Sequence, residues 1–268
     1  PVRISHSHNR PLGVDLKLIM RYYFRFMLKY YNTHMFACGI EAGDWLYGKK
    51  NRNNVIIMKN AIDANQYRYN EETQNRMREE LGISGKKVIG HVGRFFPQKN
   101  HTFLIDIFKA VHDRDKNTVL LLVGGGEADD TLKNQIRHKV KDLGLEDSVK
   151  FLGVREDVEK VVQAFDVFLL PSLFEGLPVT MVEAQAAGLP CVISDKVPIQ
   201  CDITGNVKVV SLEDAPEKWA EVIDDVLKNF KKKDTYETIV NAGFDIKENA
   251  KWLKDFYVEA LKEAGENN

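Results

Sequence analysis

The run Gly93-Arg-Phe-Phe-Pro-Gln-Lys-Asn100 puts a glycine, a guanidinium and an ammonium into one short loop. It follows an apolar β-rich run and leads into a helical pattern. Gly93 lets backbone approach a ligand closely. Arg94 offers a planar fork to phosphate oxygens, and Lys99 a movable point charge. At a helix start, free N–H groups and the helix dipole add to the attraction for an anion. Taken alone, two cations in a loop are more often solvated surface. A second loop, Pro171-Ser-Leu-Phe-Glu-Gly-Leu-Pro-Val-Thr-Met-Val-Glu183, also joins an apolar run to a helix. Carboxylates accept hydrogen bonds from paired hydroxyls, so Glu175 and Glu183 suit sugar-like diols. The competing reading makes Glu175 a cap and Glu183 a surface residue. Ala184, Ala186, Ala187 and Gly188 mark a close-packing helix and weigh against it. Gly124-Gly-Gly-Glu127 is a weaker signal, compatible with a sharp turn alone.

These loops need a scaffold that sets them side by side. From Lys86 onward, short apolar runs at 87–92, 118–123, 149–152, 167–170, 190–193 and 207–210 alternate with amphipathic stretches near 100–114, 128–143, 155–164 and 179–187. Continuous apolar runs predict strands covered on both faces, and the alternation predicts a doubly wound, parallel-sheet Rossmann-like α/β domain. Ligands of such sheets bind at the carboxyl edge, where the loops above fall. The tail reads as helices over about 214–230, 234–241 and 245–263. The first 85 residues are different: strands at 2–5, 35–38 and 55–58, and helices at 14–31 and 41–48, too few elements for an independent α/β domain. The expected division is an incomplete opening segment over 1–58, the Rossmann-like domain over 59–245 and a C-terminal helix over 246–268.

A chain of 268 residues with 44% hydrophobic and 29% charged residues can bury a core without disulfides or metals. Its three cysteines (Cys38, Cys191 and Cys201) form no framework, which fits a reducing, cytoplasmic setting. No apolar run is long enough for a transmembrane helix, and no signal peptide is visible. The net charge of −1 conceals ten Lys/Arg against three Asp/Glu in the first 60 residues, so the remainder carries −8. That basic quarter is either one ordinary positive face or a surface for an anionic partner.

In their order and intervals the motifs resemble the retaining glycosyltransferases of the GT-B fold, glycosyltransferase family 4, the group 1 glycosyltransferases. The resemblance rests on Gly93-Arg94 with Lys99-Asn100, the Gly124–Gly126 turn, Phe151-Leu-Gly153, and Glu175 and Glu183 at the spacing E-x7-E. Lys59-Asn-Ala-Ile-Asp63 is similar to the family's interdomain Asn-Gly-Ile/Val-Asp, with Ala61 in place of glycine. The likeness covers roughly residues 55–200. It implies that Arg94 and Lys99 neutralise a donor diphosphate, with no metal ion and no cofactor. It further implies that Glu183 holds the ribose, and that Glu175 holds the transferred sugar. The Gly176, Leu177, Pro178 and Val179 backbone would approach sugar and phosphates, with Gly93 and Gly126 lining the site and Val154 and Arg155 reading the base. The implied donor is a nucleoside diphosphate sugar, expected to be UDP-linked. The implied product is a hexose or N-acetylhexosamine joined with retention to a glycan or lipid-linked acceptor, in cell-surface polysaccharide such as capsule or exopolysaccharide. No nucleic-acid partner is implied.

The resemblance also makes residues 1–58 the close of an acceptor-side domain, in which a histidine often faces the donor sugar. His6 and His8 share one side of a strand, and His8 is the expected one. A structural role is as plausible, and a His-x-His metal site lacks a third ligand. In helix 14–31, Lys17, Arg21, Arg25 and Lys29 form a basic stripe among Leu18, Ile19, Tyr22, Tyr23, Phe26, Met27 and Tyr30. A helix so widely apolar is expected to be buried against the rest of that domain. Contact with an anionic membrane surface is the alternative. Two other functions compete: a nucleotide-sugar-binding module that needs a separate acceptor-domain partner, and an epimerase of related architecture.

Overall fold

The computed structural model describes residues 1–8, 17–126 and 130–266. The chain forms two compact units, one of residues 1–62 and 243–268, the other of residues 63–242.

In the first unit, β1 (Ile4–Ser7), α1 (Lys17–Tyr31), β2 (His34–Ala37), α2 (Ile40–Tyr47) and β3 (Val55–Ile57) follow one another. The strands make a parallel sheet in the order β1-β2-β3. On α1 the side chains of Ile19, Met20, Tyr22, Tyr23, Phe24, Phe26, Tyr30 and Tyr31 are exposed. The cover expected for this helix, the rest of the acceptor-side domain, is not among the described residues.

The second unit opens with α3 (Ala64–Tyr67) and α4 (Glu71–Glu80) and continues as β4 (Lys87–Val92), α5 (His101–Arg114), β5 (Thr118–Val123) and α6 (Thr131–Asp142). Then come β6 (Val149–Gly153), α7 (Val158–Val161), β7 (Val167–Leu170), α8 (Val179–Ala186), β8 (Cys191–Ser194), β9 (Val207–Val210), α9 (Pro216–Asn229) and α10 (Tyr236–Asn241). The six strands are all parallel, in the order β6-β5-β4-β7-β8-β9. This is the α/β doubly wound arrangement expected from the sequence.

Strand periodicity explains the continuous apolar runs. Val119, Leu121 and Val123 join one core with Phe168, Leu170, Cys191 and Ile193, beneath Met77, Val161 and Met181. The intervening Leu120, Leu122, Val167, Leu169 and Val192 join the opposite core, with Leu104, Phe108, Ile136 and Trp219. The inner strands β5, β7 and β8 thus send alternate residues into two dry layers.

Three expectations change. The stretch 155–164 is one α-helical turn followed by a 3₁₀ turn over Val162–Ala164. Helix α4 was not foreseen, because only its Met77 is buried and no apolar stripe marks it. Its start signal was present: Asn70 Oδ1 accepts from Thr73 N at 2.7 Å, with Glu71 and Glu72 in the first turn. The last helix, α11 (Ile246–Glu266), does not stand apart as 246–268 but belongs to the first unit. There Trp252 and Phe256 pack their rings on Phe36 of β2. The chain leaves this unit at Ile62 and returns beside it. Ile62 N donates to Phe244 O at 3.0 Å, and Ile246 N to Ile62 O at 2.8 Å. The second unit therefore spans residues 63–242, beside the expected span of 59–245.

Candidate active site

The chain enters the sheet at β4, builds β5 and β6 on one side, then crosses to β7, β8 and β9 on the other. The carboxyl ends of β4 and β7 therefore flank a topological switch point, where open α/β sheets bind ligands. Both of the strongest sequence motifs follow these two strands.

Backbone bonds tie the loops together. Gly93 N donates to Val123 O at 2.9 Å, Phe95 N to Gly125 O at 2.8 Å and Gly124 N to Gly153 O at 2.8 Å. Gly124 has φ 144°, and a Cβ there would lie 2.1 Å from Gly93 O, so only glycine fits. A Cβ at Gly93 would meet His91 Nε2 at 2.9 Å and Lys99 Cε at 3.3 Å. Gly93 is thus held by the close approach of its neighbours. Across the switch point, Leu173 N donates to Gln98 O at 2.8 Å and Asn100 Nδ2 to Pro171 O at 3.2 Å.

Arg94 is exposed, its guanidinium 4.5 Å over the Phe96 ring. Lys99 turns the other way. Its Nζ donates to Glu175 Oε1 at 2.6 Å, with side-chain exposures of only 17% for Lys99 and 6% for Glu175. Ser172 Oγ donates to the same Oε1 at 2.7 Å, and Gln98 Nε2 to Oε2 at 3.1 Å. Glu175 is therefore a buried carboxylate with both oxygens occupied and a cation at its side. An ammonium carries three donors, so Lys99 keeps two after this contact. Gln98 and Ser172 were missed in the sequence; the spacing Ser172-x-x-Glu175 was the available signal.

Glu183 is the fifth residue of α8 and is half-buried. Burial raises its carboxyl above the usual range, opposed by a 2.9 Å hydrogen bond from Tyr67 Oη to Oε1. Tyr67 was not foreseen. No side chain caps α8 at Pro178 or α5 at Asn100, so the first N–H groups of both helices keep their affinity for anions. Gly176 is exposed and Leu177 and Val179 are partly so, whereas Pro178 is buried.

On the β6 side, Val154 is 79% exposed and follows Gly153, which has φ 69°. The Arg155 side chain is engaged by Asp157, at 2.8 Å from both Nε and Nη2, and by Glu80 at 3.6 Å. This leaves its backbone as the group open to a ligand. Gly126 lies against Asp130; Glu127 lies outside the described residues.

Beneath the Gly93–Asn100 loop, His91 and His101 are buried with rings 4.9 Å apart. His91 Nδ1 is 2.8 Å from Leu169 O, while His91 Nε2 and both nitrogens of His101 have no partner among the described residues. Burial lowers His91 to about 4 and His101 to about 2.

His8 belongs to the first unit. It lies just past the end of β1, with its ring parallel to that of His6 at 6.1 Å and its Nδ1 3.3 Å from Asn60 Oδ1. Among the described residues, no group of three or more His, Cys, Asp or Glu could hold a metal ion, and no helix is long and apolar enough to cross a membrane. Hollows of about 800 Å³ on α4 and about 430 Å³ at the amino edge of the sheet are lined by none of the motif residues. Volume alone does not mark the site here.

A parallel α/β fold with its motif loops gathered at one topological switch point defines the class as Rossmann-like. The chain belongs to the group 1 glycosyl transferases, whose family model matches residues 73–243. It is 35% identical over 266 residues to EpsF of Bacillus subtilis, a protein named as a glycosyltransferase, covering 96% of this chain and 68% of EpsF. It is 28% identical over 216 residues to the UDP-Gal:alpha-D-GlcNAc-diphosphoundecaprenol alpha-1,3-galactosyltransferase of Escherichia coli, covering 77% of this chain and 54% of that protein. Among solved structures it resembles Alr3699/HepE of Anabaena in complex with UDP, with a TM-score of 0.78 and 20% identity, covering 96% of this chain and 72% of the other. The fold is thus of the GT-B glycosyltransferase type.

Proposed function

We propose that this chain binds a nucleoside diphosphate sugar, UDP-linked, and serves transfer of its hexose or N-acetylhexosamine with retention of configuration. The observation that carries the reading is the part-buried Lys99–Glu175 pair, set with Arg94 at the carboxyl edge of β4 and β7. In this reading the spare donors of Lys99, the Arg94 fork and the starts of α5 and α8 face the diphosphate. They stabilise the charge that develops on it as the sugar leaves, without a metal ion. Glu175 accepts a hydroxyl of the transferred sugar at Oε2, beside Gln98, and Glu183 accepts from the ribose. The backbone of Val154 and Arg155 reads the base, while Gly126 and the Gly176–Val179 stretch let ligand and backbone approach closely. A role for His8 toward the transferred sugar rests on the resemblance alone. The UDP in the solved neighbour supports the nucleotide. The diphosphoundecaprenol named for the Escherichia coli relative supports a lipid-linked acceptor; a place at the cytoplasmic face of a membrane is part of the same proposal.

The test is thermal unfolding of the chain with UDP, GDP and ADP in turn. Ligand at a hundred times its dissociation constant stabilises the fold by about 2.7 kcal/mol, a rise on the order of 5–10 °C at this size. UDP is expected to give that rise and the purine nucleotides much less. No rise with any of the three overturns the donor reading.

A further inference from the structure

Tyr67 belongs to neither motif, yet its hydroxyl is one of the few polar side-chain groups brought to Glu183. The donor–acceptor distance is 2.9 Å, and both side chains are half-buried. The phenol is not free to wander. Gln163, itself buried, donates from Nε2 to Tyr67 O at 2.9 Å and accepts at Oε1 from Asn70 N at 3.1 Å. One amide thus clamps the two ends of the turn that follows Tyr67, at Tyr67 O and Asn70 N. A phenol fixed in this way holds the carboxylate in one rotamer and favours its ionised form, since the bond donates to the charged state. A carboxylate has two oxygens and about four acceptor sites. With Oε1 engaged by Tyr67, Oε2 is left for a second donor.

We propose that Tyr67 is a positioning residue for ribose recognition: it fixes Glu183 so that the remaining oxygen accepts a ribose hydroxyl of the nucleotide. This rests on the assignment of Glu183 to the ribose made above. It adds a group outside the family motifs that decides how well ribose is told from deoxyribose. The charged and titratable groups acting on this pair are the two partners and Glu159 of α7, whose charge also opposes ionisation of the phenol.

The experiment measures the dissociation constants of UDP and 2′-deoxy-UDP by calorimetry for the full chain and for Tyr67→Phe and Glu183→Ala, across pH 5 to 8. Tyr67→Phe removes only the hydroxyl and keeps the ring in the core. It is expected to weaken UDP about ten-fold, the scale of a hydrogen bond to a charged group, and 2′-deoxy-UDP by less than three-fold. The acid limb of its UDP affinity should also move to higher pH, because Glu183 loses the donor that keeps it ionised. Equal losses for both nucleotides with an unmoved pH profile mean that Tyr67 only supports the fold, and overturn the inference. If the unsubstituted chain itself fails to prefer UDP, or Glu183→Ala leaves the preference intact, the ribose assignment fails first and takes the inference with it.

Discussion

At the scale of single residues, the site is a set of buried polar groups that satisfy one another. Glu175 is the clearest case, with Lys99, Gln98 and Ser172 on its two oxygens. Removing one partner of such a pair leaves a charge in a place made for two. Lys99→Met is expected to destabilise the fold by about 3 kcal/mol, while Lys99→Met with Glu175→Gln costs less than the sum of the single changes. A double-mutant cycle by urea unfolding should give a coupling of about 1–3 kcal/mol, and additive losses would count against the pair. Arg94 is different, being exposed and stacked on Phe96. Arg94→Ala should leave the melting temperature within a degree or so, as surface changes do. It should weaken the diphosphate more than the nucleoside in a binding titration; equal losses would remove Arg94 from the phosphates.

At the scale of elements, the end of β4 and the start of α5 store a dependence on acid. His91 and His101 fold in the neutral form because burial lowers them to about 4 and about 2 from 6.5, with Lys99 adding to both shifts. The unfolded chain therefore binds more protons than the fold below pH 6.5. Stability is complete above that value and falls as pH drops from 6.5 toward 4, by up to about 1.4 kcal/mol per pH unit for each histidine. Glu183, raised by burial, acts with the opposite sign in the lower part of this window. We expect the melting temperature to decline steadily from pH 7 to pH 5. His101→Phe, which can keep the stack on Phe95, should flatten the decline by about one proton. A variant with the full slope would show that His101 is accessible to protons in the fold.

At the scale of the whole molecule, the two units answer to different changes. Phe256 of α11 packs on Phe36 in the first unit, while every nucleotide-facing residue proposed here lies in residues 63–242. Phe256→Ala should cost about 2 kcal/mol, less than a fully buried aromatic, and leave UDP affinity unchanged in a titration. A parallel fall in affinity would mean that the first unit shapes the site. The alternation of apolar runs and helical stretches determined the doubly wound sheet, because a strand covered on both faces must be apolar at every position. Motif spacing likewise marked Gly93, Arg94, Lys99, Glu175 and Glu183, since glycine, cations and carboxylates at strand ends are local signals. Helix α4 escaped because a polar surface helix carries no stripe, and only its Asn70 cap spoke for it. The place of α11 was also out of reach, for an amphipathic face does not say which unit it will cover. Only the tertiary structure set Lys99 against Glu175, 76 residues away, and Tyr67 against Glu183, 116 residues away. Such partners are chosen by sheet order and loop closure, and a hydrogen bond between residues far apart in the chain leaves no pattern in the letters beside either one.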